Sequence, residues 1–559
     1  MKKNLCWAII PLIVSVFVVL FTNAAGPYWL SPNGDPAYVY FFNFLYLVGK
    51  LPLIQMYHPG LTLDVLGVLT FRLFHPFLSP QDLFLTVIQN PEFYLHVLHG
   101  FLVFMYVVSL WFLGWYAYRK SHDIFFALLV QLSSLLVLAV PSIYGYAILP
   151  VMAHVKAETL LVTATNLLMV GLVKLYWDKN TRSSMLLALY LGCVCALGLF
   201  TKYTFILCLF LPLFLFRGWA SRCWFLLSFI VVGYIFYNVE TDPYHRILLW
   251  VRDLIFQSGS PGALSGKFIV LTDFISSLKL LVEQNAFVFL TAALALIIGL
   301  WKRDKFVFLI SGAVLVQFPL VARHPNPHYM ISAVGLSGLV FALLYDKFRN
   351  RLPSPFVGMF IILFILVNAG GLIQYLKNVS EENTAIFKYS QSISADYPGY
   401  VVCPYYKSSS LVFNLAAWTN GMNTFYNKLL KEKYPDYYYY DTNARDFKDF
   451  LSRWVPLSEI RSGHKGVLLY GSAVGEDFFK PYTIVHEIEH TPQGEALYEV
   501  IAEQSPHAGE YMQYSVMLFS QGQYKQALEY AVYAKQLGFP DDITGYLNQI
   551  IARIKNGAN

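Results

Sequence analysis

The chain has 559 residues, is 57% hydrophobic and only 13% charged, and carries a formal net charge of +6. Soluble domains average about 25% charged residues, so this composition excludes a water-soluble enzyme on a single anchor and indicates a polytopic membrane protein. The cysteines exclude a disulfide framework: Cys6, Cys193, Cys195, Cys208 and Cys223 lie in or beside apolar runs and Cys403 is isolated, so they assign no redox compartment.

A membrane span needs roughly 17–25 apolar residues. About eleven spans are predicted, near residues 5–22, 94–118, 124–148, 157–177, 184–200, 203–216, 223–239, 282–301, 306–322, 329–345 and 354–376. Segment 203–216 is short enough to be a half-span. The first follows Met1-Lys2-Lys3 and ends in Thr22-Asn23-Ala24-Ala25, as a signal peptide does, but the run from Leu5 to Phe21 is long for one and predicts an uncleaved anchor.

Lys2 and Lys3, Arg119 and Lys120, Lys179 and Arg182, Arg217 and Arg222, Lys302 to Lys305, and Lys347, Arg349 and Arg351 fall at alternate turns. Those turns are expected to be cytoplasmic. The positive excess thus reads as topology and not as nucleic-acid binding. The N-terminus is placed in the cytoplasm. Segments 23–93, 240–281 and everything after about 377 fall on the outer face, periplasmic in a Gram-negative inner membrane. Lys50, Arg72, Lys156, Lys202, Arg246, Arg252, Lys267 and Arg323 break the rule by lying on that outer side. Singly each snorkels to the interface; together they suggest an anionic ligand there.

The first outer loop reads "GPYWLSPNGDPAYVYFFNFLYLVGKLPLIQMYHPGLTLDVLGVLTFRLF". A Gly-Asp-Pro turn opens an aromatic amphipathic helix, "YHPG" follows, and a second amphipathic helix carries Asp64. Both helices are expected to lie flat on the membrane surface. Asp35 precedes Pro36, a common helix start with aspartate as cap. A cap is held rigidly, so the same carboxylate is compatible with chemistry.

After residue 377 strand-like runs at Val401–Pro404 and Gly466–Tyr470, with a helix from Ser408 to Trp418 between them, predict a small outer α/β domain over 377–505. Within it His486, Glu487 and His490 spell H-E-x-x-H, a zinc-protease signature when helical. Here Ile484, His486, Ile488 and His490 alternate with Val485, Glu487 and Glu489, and Thr491 to Gly494 carries turn residues, which predicts a β-hairpin. Imidazoles four residues apart on a strand lie about 13 Å apart and cannot share one zinc. Residues 506–559 resemble a tetratricopeptide repeat, with Gly522, Tyr524, Ala527, Ala534 and Pro540 at its small, aromatic and breaker positions. This tail is expected to cap the α/β part, with a protein partner as the other use of such helices.

Across residues 1–376 the order of elements resembles the GT-C class of integral-membrane glycosyltransferases, of the protein-mannosyltransferase and aminoarabinose-transferase type (glycosyltransferase family 39). The resemblance rests on "GDPAYVY" and "YHPG" in the first outer loop and on "HVKAETLL" at the head of the fourth span. It also rests on "ALGLFTKYTF" with Thr201-Lys202 and on the closing "ARHPNPHYMISAVGL". Three residues depart from the family pattern: Asp-Pro replaces an Asp-Glu pair, "HPG" replaces "HPP", and Glu158 stands where an aspartate is usual.

The resemblance implies a polytopic α-helical GT-C-like membrane domain and transfer, with inversion, of a sugar from a polyprenyl-phosphate-linked donor to an acceptor at the outer face. The acceptor is a lipid, a polysaccharide or a protein. Asp35 would be the general base. Lys202 and Arg323, with Lys156 and Arg72 behind them, would hold the donor phosphate. Glu158 would orient the sugar or pair with Lys156. His58, Asp64, His324, His328 and Tyr329 would complete the sugar or acceptor site. No D-x-D occurs in the first loop, so no cofactor and metal-independent chemistry are expected, although some relatives use a divalent metal. A lipid or solute transporter is the alternative reading, and a zinc protease or a scaffold built on the tail stands behind it.

Overall fold

The structure, a computed structural model, describes residues 6–30, 34–51, 53, 60–139, 141–142, 149–178, 184–239, 252, 256–257, 269–324, 326–419, 424–442, 446–451, 453, 455–479, 483–492, 494–503, 511–512, 515–516, 518–519, 523–536 and 543–555. Two compact units divide at Lys388/Tyr389.

The first unit is helical. Its elements are α1 (Ile9–Ala25), α2 (Gly34–Val48), α3 (Leu61–Phe74), α4 (Pro80–Val87), α5 (Pro91–Ser121), α6 (Ile124–Leu138), α7 (Ala157–Trp177), α8 (Met185–Thr201), α9 (Ile206–Leu215), α10 (Trp219–Val239), α11 (Leu271–Gln284), α12 (Ala286–Trp301), α13 (Lys305–Ala322), α14 (Ile331–Phe348) and α15 (Ser354–Asp396). A two-residue ladder, β1 (Pro141–Ser142) with β2 (Leu149–Pro150), lies between α6 and α7. Apolar side chains such as Leu12, Phe104, Ile230, Leu290 and Leu366 are exposed. An outward apolar belt of this kind faces lipid.

The eleven predicted spans fold as helices with a lower count of full crossings. Among the described residues seven helices are long and apolar enough to cross alone, and an eighth crossing arises if the bent pair α11–α12 counts as one. The difference is one of length. Helices α6 and α8 have 15 and 17 residues, only about 22–26 Å at 1.5 Å per residue, short of a hydrocarbon core of about 30 Å. Helix α9 has 10 residues. Helices α11 and α12 bend by 92° at Asn285, so the segment read as 282–301 starts within a separate amphipathic helix. The domain boundary also moves. The apolar run stops near 376, but α15 continues for 43 residues in all because its polar extension has no breaker.

One end of the bundle is clamped by ion pairs and phenols. Asp123 caps α6 through Phe125 N at 2.8 Å and accepts from Tyr345 Oη at 2.8 Å. Tyr176 donates to Asp346 at 2.5 Å, and Lys347 meets Asp304 at 2.5 Å. These contacts join the basic turns near 121, 177, 304 and 347 at one end of α5, α7 and α14.

Helices α6 and α14 pack closely because α14 presents glycines. Ser133 Oγ donates to Gly335 O at 2.8 Å, and a Cβ on Gly338 would lie 2.2 Å from Val130 O. Backbone cannot yield there as a flexible side chain would. Gly338→Leu is therefore expected to cost more than the about 1–3 kcal/mol of ordinary overpacking, measured as a loss of folded protein in detergent. A normally folded variant would show that this contact is loose.

The segment expected as the first outer loop differs from its expected placement. Helix α2 is not half-exposed: Tyr38, Phe41, Phe42, Phe44, Leu45 and Tyr46 are all buried. Their rings pack edge-on, Phe41 to Phe42 at 5.7 Å and Phe41 to Phe71 of α3 at 5.5 Å. So many aromatics around one helix leave no polar face to lay on water. Helix α3 also packs on α5, α7 and α8.

The second unit, Tyr389–Asn559, holds a four-stranded sheet of order β3-β6-β8-β7, made of β3 (Tyr400–Pro404), β6 (Gly466–Ser472), β7 (Thr483–His490) and β8 (Glu495–Glu503). The sequential labels β4 (Tyr439–Asp441) and β5 (Asp446–Lys448) belong to a separate hairpin. Strand β6 pairs parallel with β3 and antiparallel with β8 and is buried along its whole length. Val467 and Leu469 enter one core with Tyr405, Phe479 and Tyr498. Leu468 and Tyr470 enter another with Ile393 and Leu497. Coverage on both faces explains the unbroken apolar run. Glu495 is buried and accepts from Tyr470 Oη and from Ser409 N at 3.0 Å; burial and that carboxylate push the Tyr470 phenol well above its usual range. Helices α16 (Leu411–Thr419), α17 (Thr424–Lys433) and α18 (Leu457–Arg461) surround the sheet region in sequence. In the tail, α19 (Tyr524–Gln536) and α20 (Ile543–Lys555) share a core of Ala527, Ala531, Ala534 and Ile550 with Tyr511 and Leu518. Gly522 and Pro540 lie outside the described residues.

Candidate functional site

The bundle end opposite the basic turns gathers ionisable side chains. Helix α7 begins at Lys156, whose extended backbone starts the helix, and places Glu158 in the first turn, where the helix dipole favours a carboxylate. Helix α8 ends at Thr201, and Lys202 leaves it in an extended conformation. A short 3₁₀ turn, Pro327–Met330, carries His328 and Tyr329 into α14.

These residues meet. Lys202 Nζ donates to Glu158 Oε1 in a close ion pair. His328 Nε2 lies 3.5 Å from the same oxygen. The Lys202 ammonium sits 4.7 Å from the centroid of the Tyr329 ring, a cation–π contact. The Tyr329 ring in turn meets His328 at 4.5 Å and Tyr203 at 5.7 Å. Glu158, Lys202, His328 and Tyr329 are all at most 5% exposed. Taking two charges out of water costs several kcal/mol per ion before their attraction returns it. Such a pair inside an apolar bundle is thus a mark of function more than of stability.

Helix α3 reaches the same end. Thr62 and Thr201 share a hydroxyl–hydroxyl hydrogen bond of 2.6 Å, next to Lys202. This brings the buried Asp64, in the first turn of α3, towards the cluster. Gly60 closes on Tyr40 of α2, where a Cβ would lie 2.7 Å from the ring. Asp35 stands five residues earlier in α2, about 7.5 Å of helical rise away. Its backbone therefore belongs to this end of the bundle, while its side chain lies outside the described residues, as does the whole of His58.

A second polar thread runs beside the first. His99 Nε2 bonds Met152 O at 2.8 Å, and His99 Nδ1 bonds Tyr28 Oη at 2.7 Å. A carbonyl only accepts, so Nε2 carries the proton and Nδ1 accepts from the phenol. Glu92 accepts from Tyr28 N at 2.9 Å and Tyr38 Oη at 2.8 Å. His154 is fully buried between this thread and Glu158, in electrostatic reach of Lys156, His99 and Glu158.

The structure thus unites Glu158, Lys202, His328 and Tyr329, with Lys156 and Asp64 at the same end. Glu158 pairs with Lys202 and His328, and the expected partner Lys156 is also in its electrostatic range. Arg323 ends α13 and donates to Gln257 O at 3.2 Å, with Tyr203 in electrostatic range; His324 is buried beside it. Arg72 is not brought in. Its guanidinium donates to Leu78 O at 2.7 Å and closes the α3–α4 turn, some ten residues along α3 from Thr62. Thr62, Tyr203, His99 and His154 are polar members that sequence reasoning passed over; "HVKAE" places His154 within four positions of Glu158, the one local signal available.

The H-E-x-x-H stretch forms the expected hairpin of β7 and β8. The expected common face for the two histidines does not survive. A bulge between Glu487 and Glu489 adds a residue, so His490 turns to Glu487, at 3.0 Å, while His486 faces Glu476 at 3.6 Å. Among the described residues no three His, Cys, Asp or Glu side chains group for a metal. His486→Ala and Glu487→Gln are expected to leave zinc content at background and turnover within twofold. Stoichiometric zinc in the parent protein, lost in either variant, would refute the hairpin assignment.

No family model matches the chain, and no curated protein matches it. In a comparison with solved structures, the chain is similar to ArnT from Cupriavidus metallidurans bound to undecaprenyl phosphate, at 10% identity with a TM-score of 0.44, over 89% of this chain and 98% of that one.

Proposed function

We propose that the chain is a membrane glycosyltransferase of GT-C type that transfers a sugar from a polyprenyl-phosphate donor to an acceptor at the outer face of the membrane. The observation that carries this reading is the buried Glu158–Lys202–His328 cluster at one end of an apolar bundle. Charged side chains in such a place face a polar ligand that arrives from the bilayer. A lipid-linked sugar has that character, with a tail for the lipid phase and a charged, hydroxylated head for the cluster.

In this mechanism the acceptor hydroxyl or amine attacks C1 of the sugar, and its proton passes to Asp35 as general base. The bond from C1 to the phosphate oxygen breaks, and polyprenyl phosphate leaves with the bonding electron pair. Attack opposite the leaving group inverts C1. An ammonium has three donors; Glu158 takes one from Lys202 and fixes its direction, and the others serve the charge that develops on the leaving phosphate. Arg323 lies on the next loop to add a second cation. Glu158, in turn, is held by Lys202 and His328 and presents its remaining lone pairs to a sugar hydroxyl.

Purified protein in nanodiscs, given a panel of radiolabelled decaprenyl-phosphate sugars and a lipid extract as acceptor, should release decaprenyl phosphate from one of them. Folded protein that consumes no donor, combined with a deletion strain that accumulates no lipid-linked sugar, would sink this reading.

A further inference from the structure

His154 lies in the segment that joins a 3₁₀ turn, Val151–Ala153, to α7. It is fully buried, and neither ring nitrogen has a hydrogen-bond partner among the described residues. Five residues on, the hydroxyl of the buried Thr159 is likewise without a partner among the described residues. Buried polar atoms in folded proteins are paired in the large majority of cases. An apolar residue would fill the position of His154 without that penalty, as its neighbours Ala153 and Val155 do. His99, the other imidazole nearby, shows the contrast, because both of its nitrogens are satisfied.

The chemistry of the ring narrows what would complete it. Burial and the adjacent ammonium of Lys156 disfavour the charged imidazole. A neutral ring offers one donor and one acceptor. Phosphate oxygens at this pH accept only, so a phosphate would satisfy one nitrogen and repel the other. Hydroxyl groups both donate and accept and satisfy either. We infer that His154 contacts hydroxyl groups of the transferred sugar and helps to select the sugar, leaving the lipid phosphate to Lys202. This inference rests on the glycosyltransferase reading.

The test compares wild type, His154→Leu and His154→Asn in nanodiscs, each titrated with decaprenyl phosphate and with decaprenyl phosphate carrying mannose, glucose or arabinose. The readouts are thermal midpoint and donor KM. In wild type one sugar-bearing lipid should raise the midpoint beyond the bare lipid phosphate. His154→Leu should be at least as stable as wild type without ligand, because it removes a polar group with no partner. It should keep the shift from bare lipid phosphate, lose the extra shift from the sugar, and raise KM at least tenfold. His154→Asn, which retains a donor and an acceptor, should recover part of both. A His154→Leu variant that keeps the sugar-dependent shift and an unchanged KM would overturn the inference and leave the donor reading standing; an ordered water would then complete the ring. Loss of ligand-free stability in His154→Leu, with the sugar shift retained in His154→Asn at wild-type KM, would also overturn it by assigning a structural role. No response of wild type to any of these lipids would remove the donor reading and this inference together.

Discussion

Lys202→Met is expected to abolish donor use and to destabilise the membrane unit by about 3–5 kcal/mol. Two causes add. The substitution removes the cation proposed to stand beside the leaving phosphate. It also strips the Glu158 carboxylate, 5% exposed, of its ion-pair ammonium, leaving the imidazole of His328 at 3.5 Å and Lys156 in electrostatic range. A lone buried charge is far costlier than a paired one, and replacing both members by apolar residues is often neutral or stabilising. The double variant Glu158→Met with Lys202→Met should therefore recover most of the stability lost by Lys202→Met, while turnover stays at background. Lys202→Arg should keep the pair but fit the Tyr329 ring differently, and retain part of the activity. Unfolding in mixed detergent, run on the two singles and the double, reads the coupling directly. Additive losses would show that the pair does not act as a unit, and full turnover in Lys202→Met would make it a membrane anchor.

Asp35→Asn should lower turnover about 10²–10⁴-fold, the range supplied by a positioned general base, with folding and insertion intact. Asparagine caps a helix about as well as aspartate, and loss of a cap costs only about 1 kcal/mol. The catalytic and the capping roles therefore separate by size. Asp35 opens α2, whose Tyr40 touches the start of α3, and α3 is tied by Thr62 to the residue before Lys202. A general base carried there would reach the same bundle end as Lys202, the proposed leaving-group cation. Transfer to the native acceptor, with thermal stability in parallel, is the measurement. An active Asp35→Asn enzyme would move the assignment to Asp64 or Glu158.

The helices were readable because each apolar run is bounded by charge or by a cap such as Asn90, Asp123 or Asp304. Their lengths were less so. The run 124–148 looks continuous, yet α6 stops at Leu138, three residues before Pro141 opens β1. Asn285 gives no strong break in composition, yet the chain turns by 92° there. Glu158 and Lys202 stood out as charges in apolar surroundings, but a contact between residues 44 positions apart is set by how α7 packs on α8. Local spacing could only suggest Lys156. Arg72 shows the reverse error: a charge in a suggestive loop that serves the turn of its own chain. The face of each β7 histidine depended on a bulge, which no alternation of residues announces.

The pairing of Glu158 with Lys202 also bears on how the chain is made. Both charges belong to consecutive helices, so the α7–α8 hairpin can enter the bilayer with its carboxylate already neutralised, before later helices exist. His328 follows Lys202 by 126 residues (328 − 202), on the order of ten seconds of ribosomal elongation. Had the partner of Glu158 been His328 alone, a naked carboxylate would wait at the translocon for that interval, exposed to quality-control proteases. The hairpin can carry its own counter-ion through insertion, so that the histidine and tyrosine dock on a pair already formed.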